Sequence, residues 1–277
     1  MSDVTDAPPR AATSKDTRTS AHGSFIWYEL ITPDPDGAKA FYDAVVGWNI
    51  DAKPQGEMDY RMIGRSDGGN AGGVMRLTEE MKGHGARPTW LGYIAVDDVD
   101  ASVSSIEQGG GKALMPAFDI PDVGRIAMVA DPQGVAFYVM KASPPTGDED
   151  KVSDVFSPDQ TQRVSWNELA TRDQVAALEF YTSRFGWTRG DVMPMGEMGD
   201  YQFITHHGVP LGAMMTAATE NPPRWRFYFR VPNTDAAAEK VRANGGTINH
   251  GPAEVPGGDR ILIGTDPQGA EFALVGK

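Results

Sequence analysis

With 277 residues, 40% hydrophobic and 23% charged, the chain has the balance of a soluble globular protein of one or two domains, and no apolar run reaches the roughly 18 residues that a membrane-spanning helix needs. Its 25 basic and 38 acidic residues give a net charge of −13, which disfavours a nucleic-acid partner, because phosphate binding needs clustered positive charge. The absence of cysteine excludes disulfides, iron–sulfur clusters, thiolate zinc sites and a cysteine nucleophile.

Residues 1–23 are polar, with no apolar stretch of signal-peptide length, and are expected to form a disordered tail on a cytoplasmic protein. Phe25–Thr32 alternates, with Trp27, Glu29 and Ile31 on one face, and reads as a strand. Asp34 caps a helix opened by Pro35, and Ala38, Phe41, Tyr42 and Val45 form its apolar stripe. Strands are expected around Tyr60–Gly64, Gly72–Leu77 and Trp90–Val96. Asp98 caps a second helix with Val99, Val103 and Ile106 inward, and Gly109–Gly111 stops it. Strands Arg125–Ala130 and Val135–Lys141 follow, joined by the turn Asp131-Pro132-Gln133-Gly134. Residues 142–162, rich in Pro, Gly, Ser and acidic side chains, suit an interdomain linker with a solvated charge block.

The remainder repeats the first half. Trp27–Trp48 and Trp166–Trp187 align without a gap and share 10 of 22 residues. The loop and strand Gly56–Tyr60 match Gly196–Tyr201, Trp90 matches Trp225, and Arg125–Gly134 matches Arg260–Gly269. Asn233 and Gly245 cap and stop the last helix. This is a tandem duplication, with domains at 24–141 and 163–277, not a solenoid of short repeats. Each domain divides again, so the pattern is α+β, a βαβββ unit four times over, with antiparallel pairing of neighbouring strands expected.

The helix motif Asp34…Phe41-Tyr42…Gly47-Trp48, its copy Asp173…Phe180-Tyr181…Gly186-Trp187, and the turns Asp131–Gly134 and Asp266–Gly269 make the chain resemble the vicinal oxygen chelate superfamily. That superfamily includes glyoxalase I, extradiol dioxygenases, bleomycin-binding proteins and fosfomycin-resistance enzymes. The resemblance, narrowest to the tandem glyoxalase-like branch, implies paired βαβββ units folded into a half-open β-cup. In metal-dependent members it also implies a His or Gln on the first strand, a Glu late in the first unit, a His opening the second, and a Glu on the last strand. In this sequence those positions fall on Trp27 and Trp166, near Val74–Met75 and Met214–Met215, on Leu91 and Arg226, and on Tyr138 and Ala273. None is an imidazole or carboxylate, and none of His22, His84, His206, His207 and His250 has a counterpart in the other half. Each reads as a surface histidine, and no metal or other cofactor is expected.

Glu29 and Glu168, each two residues past a Trp on a strand, are then the candidate catalytic groups. Against aromatic walls either would have a raised pKa and serve as general base or acid, or it would simply accept hydrogen bonds from a neighbouring tyrosine or amide. Candidate ligand contacts are Trp27, Tyr60, Trp90, Arg125 and Tyr138 in the first half, and Trp166, Tyr201, Trp225, Arg226 and Arg260 in the second. For the arginines at 125 and 260 a structural salt bridge is the alternative, and for Tyr60 and Tyr201 a place in the strand core. Glu57 and Glu197 read as solvated. Met58, Met75, Met198, Met214 and Met215 line either a pocket or the core. Tyr138 opposite Ala273, and Arg226 opposite Leu91, break the repeat, as expected if one cup is the working one.

The function expected is binding of an apolar or aromatic small molecule in a metal-free cup, for sequestration, resistance or assistance to a biosynthetic pathway. The alternatives are a metal-independent lyase or isomerase using a cup glutamate as base, and a metal-dependent glyoxalase or dioxygenase-type enzyme. The partners expected are a small molecule, with neither nucleic acid nor membrane, in a monomer with intramolecular domain pairing or a homodimer.

Overall fold

The structure, a computed structural model, describes residues 22–54, 56, 58–143, 152–219 and 221–277. The expected tail therefore lies, except for His22 and Gly23, outside the described residues, as do most of the linker's acidic block and Glu57. No helix among the described residues is long and apolar enough to cross a membrane.

The first domain runs β1 (Phe25–Thr32), α1 (Pro35–Val45), β2 (Asn49–Ile50), β3 (Tyr60–Gly64), β4 (Asn70–Arg76), α2 (Glu79–Gly83), β5 (Thr89–Ala95), α3 (Val99–Gln108), β6 (Lys112–Ile120), β7 (Gly124–Ala130) and β8 (Ala136–Ala142). The second runs β9 (Val164–Thr171), α4 (Gln174–Phe185), β10 (Thr188–Pro194), β11 (Asp200–His206), β12 (Val209–Thr216), β13 (Arg224–Arg230), α5 (Thr234–Ala243), β14 (Thr247–Glu254), β15 (Arg260–Thr265) and β16 (Glu271–Gly276). These are four βαβββ units. The helix α2 has no equivalent in the second domain, because the segment between Leu77 and Trp90 is five residues longer than its copy between Ala217 and Trp225.

Each domain is one open eight-stranded sheet, ordered β2-β3-β4-β1-β5-β8-β7-β6 and β10-β11-β12-β9-β13-β16-β15-β14. Neighbours are not all antiparallel, as the sequence had led us to expect. Within each unit the first strand pairs in parallel with the last, across the helical crossover, as in β1 with β4 and β13 with β16. The edge strands β2, β6, β10 and β14 are not among those expected from the sequence. In β6 exposure alternates along an edge that carries Pro116, a residue such a position tolerates.

The caps form as the sequence dictates. Asp34, Asp98, Asp173 and Asn233 each accept a hydrogen bond from the backbone amide three residues on, at 2.8–3.0 Å. We expect Asp173→Ala to lower stability by about 1 kcal/mol in chemical denaturation, and an unchanged midpoint would show the cap to be idle. The Asp-Pro-Gln-Gly turns close on their own aspartate. Asp131 accepts from the amides of Gln133 and Val135 at 2.9 Å, with Gly134 at φ +85°. Asp266 does the same with Gln268 and Ala270.

One continuous apolar core lies between the two sheets, fed by both domains. There α1 lies against α5 and α3 against α4. Period-two alternation decides which side chains reach it. Tyr28 and Leu30 of β1 face this seam, while Trp27, Glu29 and Ile31 face the other, concave side. Two buried relays cross it reciprocally. Tyr42 donates to Asp266 at 3.0 Å and accepts from Trp90 Nε1 at 2.9 Å. Tyr181 donates to Asp131 at 3.2 Å and accepts from Trp225 Nε1 at 3.3 Å. The family-like motifs thus build the domain seam.

The described end of the linker is pinned, not merely solvated. Val155 is buried, and Asp154 pairs with Arg65 at 2.5 Å and with Arg163 at 3.0 Å. Asp67, bonded by the Gly69 amide and by Arg65 and Arg163, is held well below the usual carboxylate range.

Candidate functional site

The concave faces carry two versions of one frame. In the first cup, Trp27 Nε1 donates to the Tyr60 hydroxyl at 2.8 Å, and the Tyr93 hydroxyl donates to Glu29 Oε2 at 2.9 Å. The Tyr60 ring lies over Gly73, where a Cβ would stand 2.1 Å from its hydroxyl oxygen, whereas the second cup carries Ala213 at the equivalent position opposite Glu168. Tyr138 stacks on Tyr93 with centroids 4.2 Å apart. In the second cup, Trp166 Nε1 donates to the Tyr201 hydroxyl at 2.8 Å. The hydroxyls of Tyr201 and Tyr228 donate to Glu168 Oε2 at 2.8 and 3.0 Å.

The two glutamates differ in what faces their second oxygen. Glu168 Oε1 receives Arg226, whose guanidinium also donates to Glu271 at 2.9 Å; Arg224 holds the same Glu271 at 2.7 Å. The first cup has Leu91 in place of Arg226, Ala136 in place of Glu271 and Thr89 in place of Arg224. Glu29 is 2% exposed and its Oε1 has no hydrogen-bond partner among the described residues. Burial pushes its pKa up to about 7, with the phenols of Tyr93 and Tyr60 offsetting part of the rise.

Around Glu29 gather Ile31, Leu91, Tyr93, Ile126 and Tyr138, with Trp27, Met75 and Met128 partly exposed at the rim. Met81 of α2 packs onto this cluster as well. Around Glu168 the apolar lining is thinner, with Tyr228, Ala273 and Val275 buried and Trp166 beside them.

Several expected site residues lie elsewhere. Trp90 and Trp225 are 4% and 7% exposed and belong to the seam, since each precedes its cup-facing neighbour by one residue on a strand. Arg125 is not in a cup; it grips Asp100 of α3 through two bonds of 2.8 Å. Arg260 donates a single bond of 2.6 Å to Asp235 of α5 and another, of 3.3 Å, to the Pro252 carbonyl. Met214 is core, while Met58 and Met198 are exposed. Glu197 is exposed, as expected. His206 is not at the surface; it is 7% exposed, and burial holds its pKa down at about 4. Sequence reasoning missed Tyr93 and Tyr228. The signal was there, since each stands two residues beyond a cup-facing position on β5 or β13.

A model of the glyoxalase/bleomycin resistance protein/dioxygenase superfamily matches residues 24–139 and 162–274. The chain belongs to that superfamily. Among relatives of this superfamily protein is a putative glyoxylase, CFP32, of Mycobacterium tuberculosis, 34% identical over 91% of this chain and 94% of its own. Another is the anthracycline biosynthesis protein DnrV of Streptomyces peucetius, 30% identical over 92% of this chain and 94% of its own. The fold is shared with a Mn(II)-bound glyoxalase from Novosphingobium aromaticivorans, at TM-score 0.61 and 19% identity, over 92% of this chain and 82% of that one. It is shared also with the 2,3-dioxygenase LapB of Pseudomonas sp. KL28, at TM-score 0.60 and 10% identity, over 94% and 93%.

The Novosphingobium neighbour holds Mn(II), and a divalent metal needs several imidazole or carboxylate donors aimed at one point. Among the described residues, no three His, Asp or Glu side chains converge in that way. The first cup offers one carboxylate among phenols, and in the second both carboxylates are bonded to Arg226. Neither donor set fits a divalent centre.

Proposed function

We propose that this glyoxalase-superfamily protein binds an apolar or aromatic small molecule in its first cup, without a metal. The observation that carries this reading is the contrast between the cups. Both cups present partly exposed side chains, Trp27, Tyr60, Met75 and Met128 in the first and Trp166, Tyr201, Met215 and Ile263 in the second, but the carboxylate is closed off by the Arg226 bridge in the second and unbridged in the first. Aromatic and thioether walls with few polar anchors are the usual chemistry of a small-molecule site. Sequestration, resistance or assistance to a pathway follows from binding alone, and a relative named for anthracycline biosynthesis agrees with the last.

Native mass spectrometry of the protein from its own host tests this. The expected result is one organic adduct per chain, lost in Trp27→Leu and kept in Trp166→Leu. Stoichiometric manganese, iron, nickel or zinc with no organic adduct overturns it.

One observation favours a second reading, a metal-independent lyase or isomerase. A carboxyl with a pKa of about 7 is poised for proton transfer near neutral pH. Glu29→Gln would then abolish turnover of the captured ligand while leaving its binding measurable.

A further inference from the structure

The duplication supplies its own reference state. Glu29 and Glu168 occupy the same place in the repeat, and each has one oxygen, Oε2, bonded by a tyrosine from the adjacent strand, Tyr93 or Tyr228. Each stands directly opposite one residue of that strand, Leu91 for Glu29 and Arg226 for Glu168. In the second cup the remaining oxygen, Oε1, is filled by the Arg226 guanidinium. In the first, the same oxygen is buried and has no hydrogen-bond partner among the described residues.

A buried carboxylate oxygen with nothing bonded to it is costly, and natural proteins rarely leave one so. Among the described residues no lysine or arginine pairs with Glu29; its polar neighbours are the phenols of Tyr93 and Tyr60, with Tyr138 behind them. The electron-rich rings of Trp27, Tyr60, Tyr93 and Tyr138 favour positive charge. We propose that the ligand of the first cup carries a cationic nitrogen, an amine, amidine or guanidine, which docks on Glu29 Oε1 as the Arg226 guanidinium docks on Glu168. This rests on the reading of the first cup as a small-molecule site and names the chemical class of the molecule. The Met75 side chain, partly exposed at the rim, is the flexible group that yields to admit it.

The probe is benzamidine, a planar aromatic amidinium, set against benzamide, its neutral isostere, and benzoate, its anionic one. Binding to the full chain is followed by calorimetry in mildly alkaline buffer, where Glu29 is charged. Benzamidine is expected to bind one site per chain, with benzamide weaker by about tenfold or more and benzoate silent. Glu29→Gln, which keeps the side chain's shape, is expected to lower benzamidine affinity by about tenfold or more. Leu91→Arg, which tethers a guanidinium where the second cup has one, is expected to abolish it; circular dichroism confirms that this variant folds. Equal binding of benzamide and benzamidine, or unchanged benzamidine affinity in Glu29→Gln, overturns the cationic assignment and leaves the aromatic cup standing. No binding by any of the three probes, with no organic adduct in the native spectrum, overturns both.

Discussion

Trp90→Ala is expected to lower the stability of the whole chain by about 3–5 kcal/mol, the usual cost of removing a buried large aromatic. The indole is 4% exposed and its ring centre lies 5.3 Å from that of Tyr42 and 4.7 Å from that of Phe229, the latter in the other domain. It also donates to the Tyr42 oxygen that bonds Asp266 across the seam. The loss is therefore shared by both domains. Urea denaturation followed by far-ultraviolet circular dichroism should show a single transition at a lower midpoint. A second domain that unfolds at its original midpoint would show the cores to be independent. Trp90→Phe, which keeps most of the volume and loses the donor, should cost less.

Glu29 makes stability depend on pH. Its folded pKa of about 7 lies above the ordinary value of 4.5, so between those values the folded chain holds a proton that the unfolded chain has released. Folding is then favoured below the lower value and weakened as pH rises through the upper one. A shift of that size corresponds to about 3 kcal/mol at 1.36 kcal/mol per unit. Glu29→Gln should remove this limb, leaving the variant the more stable of the two above neutral pH and nearly matched with the parent in mild acid. Parallel pH curves for parent and variant would show that Glu29 is not held protonated by burial.

Much of this was legible in the chain. Alternation in Phe25–Thr32 put Trp27 and Glu29 on one face, and the cap residues and the Asp-Pro-Gln-Gly turns announced their local geometry. What alternation cannot say is what covers each face. Trp90 and Leu91 are adjacent on β5, yet one enters the seam and the other the cup, because the choice depends on the partner domain. Arg125 and Arg260 form structural salt bridges, the alternative to a ligand contact, but with partners that no local pattern names. Asp100 and Asp235 are each 25 residues away on a helix. The contrast between Arg226 and Leu91 was visible as a break in the repeat. Its meaning required the register that sets each opposite a glutamate.

Tyr42 on Asp266 and Tyr181 on Asp131 are one contact made twice, the reciprocity of an isologous dimer. Two separate copies of a single-domain chain joined in that way would carry identical concave faces, and any change in one would appear in both. Covalent linkage removes this obligation. The shared interface can stay symmetric while Arg226 closes one face internally and Leu91 leaves the other different, so a single polypeptide keeps a symmetric seam and carries two unlike faces, which no homodimer of the half-chain can do.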